Sequence, residues 1–248
     1  MDQNSLILPT PSADIINPSN TMNIALIIAG GSGTRMGGVI PKQFIEVEGK
    51  PILAYTISRF QKHKSIDRIV VVCMAGWESY VRDFVSRLEF SKVDTVVSGG
   101  ETALLSIRNG VEAIGGDPND TVIVHDSVRP FVDEASIDAV ISDAEIYGCA
   151  ISAIPLIEHI VFQGKSRTDL HYIPRENAFR TVTPQAYKYR KIMEAFRKSD
   201  ETGIGKDSPF IGTLMMDLGE SVCLSKGSDK NIKITSPKDL IYFQAGLE

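Results

Sequence analysis

A chain of 248 residues, 43% of them hydrophobic, has enough apolar mass to bury a full core and suits one large α/β domain. A net charge of −5 excludes a broad nucleic-acid footprint, which needs a basic face, and points instead to a small anionic ligand held by a local cluster of cations. Cys73, Cys149 and Cys223 are too few and too far apart for a disulfide framework or a zinc site, and no apolar run approaches the roughly 18 residues of a membrane span, so a reduced, cytoplasmic protein with no membrane partner is expected.

Residues 1–21 carry three prolines among polar residues and lack the basic and apolar regions of a secretory signal. They read as a loose tail, with Met22 as an alternative start, and residues 22–248 read as a single domain. The run 24–28 is short, apolar and followed by glycine, which predicts a buried parallel strand. Residues 49–66 space Ile52, Leu53, Thr56, Ile57 and Phe60 three and four apart, which predicts an amphipathic helix with Pro51 in its first turn. The pattern continues as strand 67–74, helix 77–90, strand 94–100, helix 101–114, strand 120–131 and helix 133–148. From 157 to 179 β-branched and aromatic residues flank a "QGKS" turn signal, which predicts a protruding hairpin or arm. Helix is expected over 183–199, strand over 220–228, and a terminal helix over 236–247 with Ser236 as its cap and Pro237 at its first position. The three cysteines read as small core residues.

Strands alternating with helices of this length predict a mostly parallel sheet covered on both faces. Ligands of such sheets bind beyond the carboxyl ends of the strands, which selects residues 30–35, 99–106 and 125–129 as segments facing one crevice.

The first of these opens the stretch "AGGSGTRMGGVIPKQF". Gly30, Gly31 and Gly33 let backbone N–H groups close on phosphate oxygens, and Arg35 and Lys42 are long enough to reach a triphosphate held there. The bland alternative is a surface loop with two solvated cations. No Gly-Lys-Ser/Thr ends the stretch, so it is not a Walker loop, and the acidic residue of a dinucleotide fingerprint is missing. In "VHDSVRPF", Asp126 stands where one carboxylate can hold Mg²⁺ together with substrate phosphates, or can pair with Arg129. His63, His125, His159 and His171 show no metal-ligand spacing. In "NIKIT", Ile232 and Ile234 read as one face of a short strand and Lys233 as the other, so a buried Lys233 needs an anionic partner and an edge Lys233 needs only water. No Ser/His/Asp or Cys/His set asks for a covalent intermediate; direct attack by a substrate oxygen is the simpler chemistry.

Taken in order, "AGGSGTRMG", "PKQF", "SGG…S" ending at Ser106, "VHDSVRP", "TPQ" at 183–185 and "NIKIT.P.DL" resemble the cytidylyltransferases that act on polyol phosphates, over residues 23–247. The resemblance implies an α/β, Rossmann-like nucleotidyltransferase domain with a β-arm through which it forms a homodimer. It implies that CTP and Mg²⁺ bind and that a polyol phosphate oxygen attacks the α-phosphorus, releasing pyrophosphate. By the same resemblance Ala29, Gly30, Gly31 and Gly33 hold the nucleotide, and Arg35, Lys42 and Lys233 stabilise charge at the α-phosphate. Gly100, Glu101 and Ser106 lie against base and ribose, Asp126 sits at ribose or metal, and Arg129 and Glu158 serve the acceptor side. The chain departs from the family pattern at Ala103 and Phe162, where arginines are expected, and at Pro209 and Phe210, where a Thr-Asp pair is expected. "HDSVRPF" is closer to the branch acting on D-ribitol 5-phosphate in wall and capsule synthesis than to the one acting on 2-C-methyl-D-erythritol 4-phosphate in isoprenoid synthesis. A sugar-nucleotide pyrophosphorylase and a catalytically silent nucleotide-binding partner are the remaining readings; three converging cations argue against the second.

Overall fold

The computed structural model describes residues 21–31 and 40–247. The tail read over 1–21 lies, apart from Thr21, outside the described residues. In chain order the elements are β1 (Asn23–Ala29), a 3-10 turn (Lys42–Phe44), β2 (Glu46–Val47), β3 (Lys50–Pro51), α1 (Ile52–Lys62), β4 (Arg68–Cys73), α2 (Glu78–Arg87), β5 (Val93–Ser98) and α3 (Ala103–Ile114). They continue with β6 (Thr121–Asp126), α4 (Glu134–Tyr147), β7 (Cys149–Pro155), β8 (Ile160–Gln163), β9 (Leu170–Ile173), β10 (Phe179–Lys188), α5 (Tyr189–Thr202), α6 (Ile211–Asp217), β11 (Cys223–Lys226) and α7 (Pro237–Ala245).

Seven strands form one sheet in the order β11-β7-β10-β6-β1-β4-β5. Neighbours run parallel except at β10, which is antiparallel to both β6 and β7. Period-two alternation along β1 explains why both faces are covered. Ala25, Ile27 and Ala29 enter a core with residues of α1, α2 and α4, while Ile24 and Leu26 enter a second core with residues of α3, α5 and α6. Gly110 lets α3 come close: a Cβ there would stand 2.5 Å from a Leu26 methyl and 2.6 Å from a Val72 methyl. A third cluster joins Val47, Ile52, Val128 and Ile234 to Phe243 of α7, which ties the segment after β11 to the end of β6. Ser236 and Asp239 form a capping box at the start of α7, with Pro237 at the first position as expected.

The arm is present as the β8–β9 hairpin, which pairs only with itself, Ile160 opposite Ile173 and Gln163 opposite Leu170. Its apolar residues Val161, Phe162, Leu170 and Tyr172 are exposed.

Four expectations need correction. Residues 183–188 are not helical but belong to β10, and α5 begins only at Tyr189. Ala186 faces the first core and Tyr187 the second, so this strand is buried on both sides and its sequence carries no period-two signature to separate it from helix. β7 and α6 were not anticipated, β7 for the same reason. Residues 231–235 form an extended segment outside the sheet, not a strand. Pro51 is the residue before α1, closing the short β2–β3 hairpin, not a member of its first turn. Cys73 and Cys149 are buried free thiols, and Cys223 is only half-buried. Among the described residues no helix is long and apolar enough to cross a membrane.

Candidate active site

A crevice of about 440 Å³ opens beyond the carboxyl ends of β1 and β6, bounded on one side by the turn from β5 into α3. All three segments selected from sequence contribute to it. Gly30 and Gly31 come from the end of β1, Gly100, Glu101 and Ser106 from the β5–α3 turn, and Asp126 from β6. Lys42 and Lys233 join them. Gly33 and Arg35 lie outside the described residues.

Ala29 is buried beneath the crevice rather than on its wall. Its carbonyl and that of Gly31 both accept from the side-chain amide of Gln43, at 2.7 and 2.9 Å, and Gln43 is 1% exposed. One amide thus ties the end of β1 to Gly31, the last described residue before the rest of the glycine-rich loop. Sequence reading missed Gln43, although it stands inside the "PKQF" motif. Its neighbour Lys42 donates from Nζ to the carbonyl of Ile234 at 3.1 Å, which links the 3-10 turn to the extended segment carrying Lys233.

The β5–α3 turn is built on small residues. Thr102 caps α3 by accepting from the Leu105 N–H, and Ser106 Oγ accepts from the Gly100 N–H at 3.1 Å and donates to the Thr102 carbonyl at 2.9 Å. A Cβ at Gly99 would lie 2.7 Å from Ser106 Oγ, and one at Gly100 2.5 Å from Leu105 Cβ, so this approach requires glycine. Ser106 is thereby the clasp of the turn as well as part of the wall. The cap was legible as a threonine just before an apolar run, yet the sequence reading passed over Thr102.

At the end of β6 the charges form a closed network. Asp126 accepts from Arg129 Nε at 2.8 Å and from Lys233 Nζ at 3.1 Å. Arg129 Nη1 donates to the Asn231 carbonyl at 2.8 Å, Asn231 Nδ2 donates to the Thr183 carbonyl at 2.7 Å, and Thr183 Oγ1 accepts from the Asp126 N–H at 3.1 Å. Burial pushes the Asp126 carboxyl up, but Lys233 and Arg129 together outweigh it and hold the group below the ordinary aspartate value. Arg129 forms the ion pair with Asp126, one of the two readings of it, and its Nη1 is taken up by the Asn231 carbonyl. Lys233 has an anionic partner in Asp126, although its own side chain is only partly buried. His125 stands behind the wall, fully buried against Phe60, with Nε2 on the Arg129 carbonyl at 3.1 Å, and burial pushes its imidazole down to about 4. Glu158 is exposed at the base of the arm, away from the crevice wall.

Among the described residues no group of three or more His, Cys, Asp and Glu side chains could hold a metal by itself. Asp126 is nevertheless a hard oxygen donor on the crevice wall, paired with Arg129 and Lys233. A carboxylate offers lone pairs beyond those the network uses, and Mg²⁺ normally takes one or two carboxylates plus substrate phosphates. The residues therefore fit a cation that arrives with the nucleotide.

Comparison with known proteins gives a consistent result. The family model described as IspD: 2-C-methyl-D-erythritol 4-phosphate cytidylyltransferase matches residues 23–248. A ribitol-5-phosphate cytidylyltransferase from Lacticaseibacillus paracasei is 40% identical over 229 residues, 91% of this chain and 98% of that protein. A 2-C-methyl-D-erythritol 4-phosphate cytidylyltransferase from Clostridium acetobutylicum is 37% identical over 221 residues, 88% of this chain and 94% of that protein. The solved structure of 4-diphosphocytidyl-2C-methyl-D-erythritol synthase from Anaerococcus prevotii superposes with a TM-score of 0.77 at 26% identity, covering 92% of this chain and 96% of that one. The 2-C-methyl-D-erythritol 4-phosphate cytidylyltransferase from Thermus thermophilus gives 0.70 at 25% identity, covering 90% and 98%.

Proposed function

The chain belongs to the 2-C-methyl-D-erythritol 4-phosphate cytidylyltransferase family, and from that premise we propose that it transfers CMP from CTP to D-ribitol 5-phosphate, forming a CDP-polyol. An oxygen of the acceptor phosphate attacks the α-phosphorus of CTP, the bond from that phosphorus to the bridging oxygen breaks, and its electron pair leaves on pyrophosphate. No covalent enzyme intermediate is needed, so catalysis consists of positioning and stabilisation of charge.

The observation that carries this reading is the meeting of Lys42, Lys233 and Asp126 across one crevice from the Gly100–Ser106 wall. Backbone groups of Ala29, Gly30, Gly31 and Gly33 hold the phosphates and base edge, while Gly100, Glu101 and Ser106 flank base and ribose. Lys42, Lys233 and Arg35 concentrate positive charge where the pentavalent phosphorus gathers negative charge. Asp126 would hold Mg²⁺, which when bound neutralises charge on the triphosphate. Arg129 serves the reaction by fixing Asp126. The exposed apolar residues of the arm support a homodimer formed through it, with Glu158 brought toward the acceptor of the partner subunit.

Two features support the ribitol acceptor: the 40% identity to the Lacticaseibacillus paracasei protein over most of both chains, and Phe162 in place of an arm arginine. The family model and the Clostridium acetobutylicum relative favour 2-C-methyl-D-erythritol 4-phosphate as the second reading. Pyrophosphate release with CTP and Mg²⁺, offering both acceptors in parallel at equal concentration, tests the choice. Release with ribitol 5-phosphate alone is expected; release only with the branched acceptor would transfer the protein to the second reading.

A further inference from the structure

Phe210 is the only aromatic residue among the described residues lining the crevice. It is 45% exposed, whereas Ser208, Ile211, Leu214 and Met215 on either side of it are buried. Its backbone has little freedom. The Phe210 carbonyl accepts from the Leu214 N–H at 3.0 Å as α6 begins, and Ser208 is held by the carbonyl of Gly205 and the carboxylate of Asp217. A large aromatic ring is thus presented on a hydrogen-bonded stem to a crevice whose other apolar side chains, Ile28, Ala103 and Val128, are smaller aliphatics. Such a ring is suited to contact with a ligand's carbon surface.

The topology says which part of the ligand. Gly212 of α6 packs against Tyr187 of β10 and Ile151 of β7, so α6 covers the β10–β7 side of the sheet. The Gly100–Ser106 wall descends from β5, at the opposite edge, and β6 with Asp126 lies between them. Phe210 therefore faces the crevice from the side away from the nucleoside wall, where the acceptor has room to reach the α-phosphate.

We propose that Phe210 is a specificity-determining residue that selects unbranched polyol phosphates over methyl-branched ones. The ring carries no hydrogen-bonding group, so it discriminates by shape: the C–H face of a linear chain lies flat against it, and a branch on that face is displaced. The inference rests on the crevice being the site of CMP transfer.

The test is kcat/KM for ribitol 5-phosphate and for 2-C-methylerythritol 4-phosphate in the wild type, Phe210→Ala and Phe210→Leu, with the KM for CTP measured alongside. Phe210→Ala is expected to lose about tenfold in kcat/KM for the linear acceptor and to narrow the preference between acceptors by about fivefold or more, with the KM for CTP within about twofold of wild type. Phe210→Leu, which keeps apolar bulk, is expected to fall between the two, and thermal melting of both variants checks that they fold. An unchanged acceptor ratio, or a KM for CTP that rises in step with that for the acceptor, overturns the proposal while leaving CMP transfer intact. A wild type that prefers the branched acceptor also overturns it. A wild type that binds CTP but releases no pyrophosphate with either acceptor removes the transfer reading, and this inference with it.

Discussion

Asp126 and Lys233 stand 107 residues apart in sequence, yet the lysine Nζ lies 3.1 Å from the aspartate Oδ2. Arg129 Nε approaches the same oxygen at 2.8 Å, so one carboxylate separates two cations in a partly buried place. Removing that charge leaves Arg129 and Lys233 facing each other with no counter-ion. Asp126→Asn is therefore expected to lower stability by about 2 kcal/mol in denaturant unfolding, as well as to abolish most turnover. An Asn variant as stable as the wild type would mean that the network holds no net tension between its cations.

Lys233 has a different signature. Its ground-state partner is already Asp126, so its further use lies in charge that develops as pyrophosphate departs. Lys233→Ala should lower kcat by about a hundredfold while changing the dissociation constant for CTP by no more than about threefold. An equal loss in affinity, with turnover at saturation unchanged, would make Lys233 a ground-state phosphate ligand instead.

Both residues were legible in the sequence, but for unequal reasons. Asp126 ends an apolar run, and the rule that ligands meet the carboxyl ends of parallel strands is enough to select it. Lys233 was selected on a strand that does not exist and is only partly buried; what survives is its pairing with an anion, Asp126. The contacts that hold Arg129 in the network depend on where Asn231 and Thr183 fall, which no local pattern encodes. The fold divides in the same way. The terminal helix carried its boundary in Ser236, Pro237 and Asp239. β10 carried none, because a central strand buried on both faces has no alternation to read. Gln43 was invisible because its role lies in which carbonyls it meets. Phe210 was marked only as a departure, standing with Pro209 where a Thr-Asp pair was expected, and its place on the crevice wall depends on which side of the sheet α6 covers.

Gly110 sits inside α3, where alanine is favoured over glycine by about 1 kcal/mol. Packing opposes the exchange. The added methyl would meet Leu26 and Val72 at 2.5 and 2.6 Å, and both side chains are 0% exposed with the branched valine held in the central sheet. Overpacking of a dense core costs about 1–3 kcal/mol, so Gly110→Ala is expected to be destabilising by about 1 kcal/mol net, lowering the melting temperature by about 3 °C. A raised melting temperature would show that α3 can lift from β1 and β4 without loss.

Gln43 offers the sharpest separation of loop geometry from charge. Its amide donates both hydrogens to the carbonyls of Ala29 and Gly31, and the side chain carries no charge of its own. Gln43→Glu keeps size and shape but turns two donors into acceptors aimed at two carbonyl oxygens, inside a site that is 1% exposed. The two carbonyls must then swing away, and the N–H groups they oppose turn with them. The KM for CTP is expected to rise by about thirtyfold, matching two lost hydrogen bonds at about 1 kcal/mol each, while the KM for the acceptor moves far less. Gln43→Ala, which removes the donors without adding repulsion, should fall between the wild type and Gln43→Glu. If both variants bound CTP as the wild type does, the loop would owe its shape to its glycines alone, and the amide would be a satisfied core group with no part in nucleotide binding.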